Sequence, residues 1–255
     1  MSFYKIIPTD ELKPYIKHFA ISESSQQHIY KVLPSTKLVI GFQYKGFLNS
    51  LGNNMQNTLA TAGITGIQNS FKTFENTVVT GTVLVYFTET GFTYFSNLPA
   101  HELFNQSVSL DNIFEKNKIE EAEEKLSSAA SHKDKTKIIE QFLLSQLKER
   151  KKDKLIVEAV KLIYQSNGLI RIKELTQKLF ISQSPFEKRF RSLVGTTPKK
   201  FASIIRFNAV LNDLEKAKSL TDLCFEHNFF DQAHFIKDFK QYTGDTPESF
   251  KRLLE

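Results

Sequence analysis

Two rhythms divide the chain. Up to about residue 87, apolar residues come in short runs rich in β-branched and aromatic types: LVIGF (38–42), TLATAGI (58–64) and VLVYF (83–87). Turn formers such as Leu51-Gly52-Asn53-Asn54 and Thr80-Gly81 separate them, so residues 29–87 read as several short strands. Many short strands with few helix signals predict a small antiparallel β-sandwich or barrel. From about residue 90 the spacing turns helical. GFTYFSNLPAHELF (91–104) reads as a short helix broken at Pro99, and LDNIF (110–114) as one more helical turn. Lys118–Ala130 then carries Ile119, Ala122 and Leu126 at helical spacing, and Lys135–Lys148 carries Ile138, Ile139, Phe142, Leu143 and Leu147. These two helices form a dimer interface, pack on the β-rich part of their own chain, or do both.

The run KERKKDK (148–154) is the expected boundary between residues 1–150 and 151–255, as a charged bridge or a flexible hinge. Everything beyond it reads helical. Leu155–Tyr164 stops at Asn167-Gly168, and Arg171–Lys178 is short. Ser182 is placed to cap a helix reaching Val194, with Pro185 tolerated in its first turn and Gly195 as its stop. Pro198 opens a helix to about Lys218, roughly 30 Å long at ~1.5 Å per residue. Thr221–His227 is short again, Asp231 caps a helix to Tyr242, Gly244 stops it and Pro247 opens the last helix. The fold class is therefore α+β: a small N-terminal β-sandwich or barrel-like domain with trailing helices, then an all-α domain.

The helical part contains an internal repeat. FISQSPFEKRFRSLVGTTPKKF (180–201) returns as FFDQAHFIKDFKQYTGDTPESF (229–250) at an offset of 49, with nine identical positions and no gap. Both copies follow one plan of short helix, tight turn, capped helix and glycine stop, which is the helix-turn-helix plan whose second helix enters the major groove of DNA. Phe186, Phe190 and Leu193, and their counterparts Phe235, Phe239 and Tyr242, form the stripe that must be buried. The opposite faces carry Gln183, Ser184, Glu187, Lys188 and Arg191 in the first copy, and Gln232, Ala233, Ile236, Lys237 and Lys240 in the second, with His234 at the margin. Lysine can donate to guanine, glutamine can pair adenine, glutamate can accept from cytosine, and Ala233 and Ile236 suit thymine methyls. Ser182, Arg191, Lys199, Lys200 and Lys240 are better placed for phosphates, as are the helix N-termini at Ser182, Pro198, Asp231 and Pro247.

Charge supports this division. Residues 151–255 hold 19 Lys+Arg against 13 Asp+Glu, whereas residues 1–150 hold 15 of each. The whole net charge of +6 thus lies beside the repeat, as a polyanion partner requires. The lone Cys224 forms no internal disulfide, and a reducing cytosol is the compatible compartment. The N-terminus lacks a signal-peptide pattern, and no run of about 18 apolar residues exists to span a membrane.

The stretch FxDQxHFxxxFKxxxGxTPxxF (229–250), with its degenerate copy upstream, resembles the DNA-binding domain of the AraC/XylS family of transcription regulators. The resemblance covers about 155–254 and implies two helix-turn-helix units joined by a long helix. It implies base reading by Ser184, Glu187 and Lys188 in the first unit, and by Gln232, Ala233, His234, Ile236 and Lys237 in the second. Three departures stand out. Asn228-Phe229 replaces the usual Gly-Phe, and asparagine tolerates the left-handed turn. Cys224 replaces a favoured alanine as a small buried residue. Asp238 is acidic where the family favours Arg or Lys, which would weaken non-specific binding.

Many members of this family carry a cupin-like, small-molecule-binding β-domain in front, and the strand-then-helix order of residues 1–150 is similar. GITGIQNSF (63–71) and TGFTYFSNLPAHEL (90–103) also resemble the uncharacterised N-terminal domains of some regulators of this family. His18, His28, His101 and His132 are scattered, without the His-x-His cluster of a metal cupin, so no metal or cofactor is expected. Phe42, Phe71, Tyr86, Phe87, Phe92, Tyr94 and Phe95 either line a pocket or fill the core. An enzyme fused to the helical domain, of the kind that repairs DNA through a methyl-accepting cysteine, is disfavoured because residues 1–150 contain no cysteine. A ligand-free protein-interaction module is the other alternative. The expected partners are double-stranded DNA, RNA polymerase, an effector that the sequence does not name and a second copy of the chain.

Overall fold

The computed structural model describes residues 1–52, 55–217, 219–229 and 231–253. The Asn53-Asn54 turn and the expected helix end at Lys218 lie outside them.

Among the described residues, ten strands form two antiparallel sheets. In chain order they are β1 (Ser2–Ile6), β2 (Ile16–Ser24), β3 (His28–Val32), β4 (Val39–Lys45), β5 (Leu48–Gly52), β6 (Met55–Thr58), β7 (Ala62–Thr65), β8 (Lys72–Asn76), β9 (Thr80–Phe87) and β10 (Ser107–Ser109). Six pair in the order β1-β2-β9-β4-β7-β10, and four in the order β3-β8-β5-β6. Strands β1 and β2 lie upstream of the stretch that the sequence pattern marks as β. Lys5, Lys17 and His18 break their apolar runs, and only pairing along β9 buries Phe19, Ala20 and Ile21. TLATAGI is not one strand. Thr58 ends β6 in the small sheet, the chain crosses over at residues 59–61, and Ala62 begins β7 in the large one.

The alternation along β9 assigns the two faces of the large sheet. Val83, Val85 and Phe87 are buried on one side, while Thr82, Leu84 and Tyr86 lie on the other. The first side is covered by α1 (Lys116–Ser128) and α2 (His132–Gln146). Phe42 of β4 meets Phe142 of α2 edge-on with ring centres 5.5 Å apart, and Phe114 meets the same ring at 5.6 Å. These helices therefore pack on their own β-rich region. Phe42, Phe87, Phe92 and Phe95 are core. Around Pro99 the chain forms two separate 3-10 turns, Gly91–Tyr94 and Ala100–Leu103, instead of one broken helix, and the turn at Leu110–Asn112 is also 3-10.

The charged run after α2 is an extended strap. The Lys148 amide donates to the Tyr94 carbonyl, Arg150 reaches Asn97, and Asp153 caps the next helix while accepting from Arg189. Pinned along its length, it acts as a bridge. Among the described residues, seven helices follow: α3 (Lys154–Gln165), α4 (Ile172–Lys178), α5 (Gln183–Val194), α6 (Pro198–Leu214), α7 (Leu220–Glu226), α8 (Gln232–Thr243) and α9 (Pro247–Arg252). The connecting helix α6 ends at Leu214, earlier than its pattern predicts. Its 17 residues span about 25 Å. Among the described residues, no helix is long and apolar enough to cross a membrane.

Candidate nucleic-acid interface

The repeated sequence folds into two helix-turn-helix units, α4–α5 and α7–α8. Each second helix buries the predicted stripe. Phe186, Phe190 and Val194 are buried on α5, and Phe235, Phe239 and Tyr242 on α8; Leu193 is only half-buried, with Val194 taking its place. Phe201 of α6 packs edge-on against Phe190, and Phe207 packs against Phe239 and Tyr242, so one helix braces both units. Gly195 and Gly244 close the two helices at φ +101° and +82°, where a side chain would be strained.

The repeat is not gapless in space. Each turn carries a left-handed residue, Phe180 in the first unit and Asn228 in the second, both at φ 51°. In both units the next amide, of Ile181 or Phe229, donates back to a helix carbonyl, of Thr176 or Cys224. Before the turn the structural offset is therefore 48, and it becomes 49 only from Ser182 and Asp231 onward. Phe180 and Phe229 share a letter but not a position. Phe180 is 98% exposed, whereas Phe229 packs on Phe235 and under the Arg206 guanidinium, 4.2 Å from its ring centre. Cys224 is buried, and its thiol is pushed up by that burial.

The faces opposite the aromatic stripes are open. Gln183, Ser184, Lys188 and Arg191 are exposed on α5; Gln232, Ala233, His234, Lys237 and Lys240 are exposed on α8. Glu187 and Ile236 are half-buried, and Ile236 packs partly against the core. Gln183 donates to the Glu187 carboxylate at 2.8 Å, so these two side chains are presented as a pair. Asp238 lies 3.9 Å from Arg206 and 3.6 Å from His234, so its negative charge is partly answered from its own domain.

Helix N-termini differ from the sequence-based expectation. Ser182 stands at the N-cap of α5 but its hydroxyl accepts no capping bond. Asp231 does cap α8, accepting from the His234 amide, so its own carboxylate occupies the N-terminus where the sequence predicts a phosphate. Thr197 and Thr246 cap α6 and α9 in the same way, with Pro198 and Pro247 buried behind them. Lys199 beside them is exposed and Lys200 half-buried.

Both units also touch the β-rich region through the ends of their second helices. Gly195 lies against Ala100, and Gly244 against Phe71. Lys31 of β3 donates to the Thr243 carbonyl at 3.2 Å and to Asp245 at 2.7 Å, and Gln241 donates to the Asn69 carbonyl. A third joint is partly buried: the Tyr164 hydroxyl of α3 donates to Glu89 at 2.7 Å and is 2.8 Å from Thr36, while Lys37 pairs with the same carboxylate.

A second feature, which sequence patterns do not reveal, is a cavity of about 590 Å³ between the two sheets. Thr82, Leu84 and Tyr86 of β9 form one wall and Tyr30, Leu48 and Phe74 of the small sheet the other. Gly41 and Gly63 pair in register on the floor, and the side chains that they lack leave the space open. Tyr86 thus lines the cavity, whereas Phe71 sits at the joint with α8. Among the described residues, no three His, Cys, Asp or Glu side chains group to hold a metal.

Residues 175–253 match a family model described as a helix-turn-helix domain, and residues 4–109 match one described as a domain of unknown function (DUF6597). The chain is 30% identical over 122 residues to the Msm operon regulatory protein of Streptococcus mutans, a match that covers 46% of this chain. It covers 44% of that curated relative, less than half of its length. Among solved structures, the chain is similar to ToxT from Vibrio cholerae, with a TM-score of 0.46 and 10% identity over 92% of this chain and 97% of that one. It is also similar to the AraC-like transcriptional activator CuxR, with a TM-score of 0.31 and 13% identity over 82% and 85%.

Proposed function

We propose that this protein, whose residues 175–253 match a helix-turn-helix domain, is a sequence-specific transcription regulator of the AraC/XylS type that places α5 and α8 in successive major grooves of one duplex. Residues 151–255 form the DNA-binding part and residues 1–150 the sensor part. The observation that carries this reading is the pair of braced helices, each burying an aromatic stripe and turning a polar, basic face outward. Base reading falls to Gln183, Ser184, Glu187 and Lys188 on α5, and to Gln232, Ala233, His234, Ile236 and Lys237 on α8. Ser182, Arg191, Lys199, Lys200 and Lys240 meet phosphates.

The two faces differ at Ser184/Ala233 and Glu187/Ile236, so the half-sites differ in sequence and follow one another directly, without a palindrome within one chain. Selection from genomic fragments followed by footprinting at physiological salt is the test. Two unequal protected segments about one helical turn apart, roughly 34 Å, are expected. Absence of any preferred site overturns the reading.

The cavity supports small-molecule control over the interaction-module alternative. Its volume lies within the roughly 300–1,000 Å³ of ordinary ligand sites, and Lys72, which lines it, follows directly on Phe71 at the joint with α8. Thermal-shift screening of the full chain against metabolite classes tests this part: stabilisation by one class is expected, and none by any class would favour the interaction module.

A further inference from the structure

The sandwich cavity is mostly apolar, yet one wall carries an uncompensated positive charge. Lys72, the first residue of β8, lines it. Its Nζ donates to the Ser107 hydroxyl at 3.0 Å, and no carboxylate among the described residues enters its surroundings. The two other inward lysines of this region are answered differently. Lys37 pairs with Glu89, and Lys135 donates to the Ala129 carbonyl while lying over the Tyr44 ring. An ammonium has three donors, and at Lys72 one is used, on a neutral partner. Burial without a counter-charge pushes its ammonium below the ordinary lysine value.

Other polar groups surround the same space. Ser107 ends a row across the large sheet in which Tyr86, Val39, Thr65 and Ser107 stand in register on adjacent strands. From the facing sheet comes Tyr30, near enough to Tyr86 for the two phenols to influence each other. Beyond this row the wall turns apolar at Leu84 and Leu48, over the paired glycines Gly41 and Gly63.

We infer that the ligand of this cavity is an organic monoanion, a carboxylate carried on an apolar body, with Lys72 as its counter-ion. The inference rests on the reading of the cavity as the effector site. A carboxylate supplies both the missing charge and acceptors for the free N–H groups, in a setting where charge-assisted hydrogen bonds are strongest. A neutral polyol would leave the ammonium uncompensated in a low-dielectric site, a costly arrangement. A multiply charged phosphate would need further cations, and Lys37 is already committed to Glu89.

Isothermal titration of the full chain with 4-phenylbutanoate and 4-phenyl-1-butanol, and with decanoate below micellar concentration and 1-decanol, tests the charge assignment. For the wild type, each acid is expected to bind at least about tenfold tighter than its alcohol, the difference that 1.4 kcal/mol of ion pairing produces. Lys72→Met should remove that preference and leave alcohol binding unchanged, and Lys72→Arg should restore it. Equal affinity for acid and alcohol in the wild type, or a preference that survives in Lys72→Met, would overturn the anionic assignment and leave the cavity reading standing. Gly41→Leu separates the two: a Cβ there meets only ordinary contacts at 3.5 Å, so the variant should fold with the cavity filled and bind neither probe. Undiminished binding of both by Gly41→Leu would place them elsewhere and overturn the cavity reading as well.

Discussion

Phe71 of the β-rich region lies directly against Gly244, the residue that closes the second recognition helix: a Cβ on that glycine would stand 2.8 Å from the phenyl ring. The same ring carries Lys31 over its face at 5.0 Å, and Lys31 in turn holds Asp245. Gly244→Ala therefore meets two obstacles, a left-handed φ of +82° and the ring. The backbone part alone costs about 1–2 kcal/mol. In urea denaturation the total should exceed that figure in the wild type and fall back toward it in a Phe71→Ala background. An equal cost in both backgrounds would mean that the ring moves aside freely.

Two phenylalanines of the repeat should respond oppositely. Phe239 is buried among Phe207, Phe235 and Phe250, so Phe239→Ala should destabilise by roughly 3–5 kcal/mol. Phe180 is exposed and left-handed. Phe180→Gly should be neutral to stabilising, by up to about 1 kcal/mol, because relief of backbone strain offsets the greater freedom of the unfolded chain. Melting curves of the two variants decide it, and a large loss for Phe180→Gly would show that the ring has a partner.

The contrast between these residues also shows what was legible in the sequence. Caps and stops act locally, so Gly195, Gly244, Pro198 and Pro247 disclosed both helix-turn-helix units and the ends of their second helices. Letter identity misled at Phe180 and Phe229, because the second turn is one residue longer and the left-handed position falls on Phe180 and Asn228 instead. Strand β2 carries no local signal because its burial depends on pairing with β9 some 60 positions away, and β1, an edge strand with an exposed centre, is held by β2 alone. The cavity was hidden for the same reason: Gly41 and Gly63 make room only because register sets them side by side.

The partly buried joint at Glu89 should make stability depend on pH. Burial by itself would raise this carboxyl, but the Lys37 ammonium and the bonds from Lys37 and Tyr164 outweigh it and hold it below its ordinary value of 4.5. Lys37 is itself pushed down by burial and by Lys17, against the pull of Glu89. A carboxyl depressed on folding contributes stability that is present above its ordinary value and is lost as pH falls through the lowered one. Tyr164, raised by burial and then by Glu89, contributes stability while neutral, lost only as pH rises through its raised value. The stability difference between wild type and Glu89→Gln should therefore be constant from pH 7 to 5 and shrink below about pH 4.5. A difference that does not change with pH would mean that Glu89 is not ionised in the fold.

Lys237 and Lys240 stand on the same exposed face of α8, but their assigned roles differ. A base contact discriminates between sequences, whereas a phosphate contact weakens all of them alike and sets the salt slope. Lys237→Ala should cost about 1–3 kcal/mol on the selected site and much less on random duplex. Lys240→Ala should weaken both equally and reduce the salt slope by about one. Fluorescence anisotropy on both duplexes over a salt series separates the two outcomes. Equal losses for Lys237→Ala on both duplexes would reassign it to phosphate. Ile236→Glu provides a further check, since it gives α8 the residue that α5 carries at Glu187. Selection with that variant should shift the second half-site toward cytosine, and an unchanged half-site would remove position 236 from the reading face.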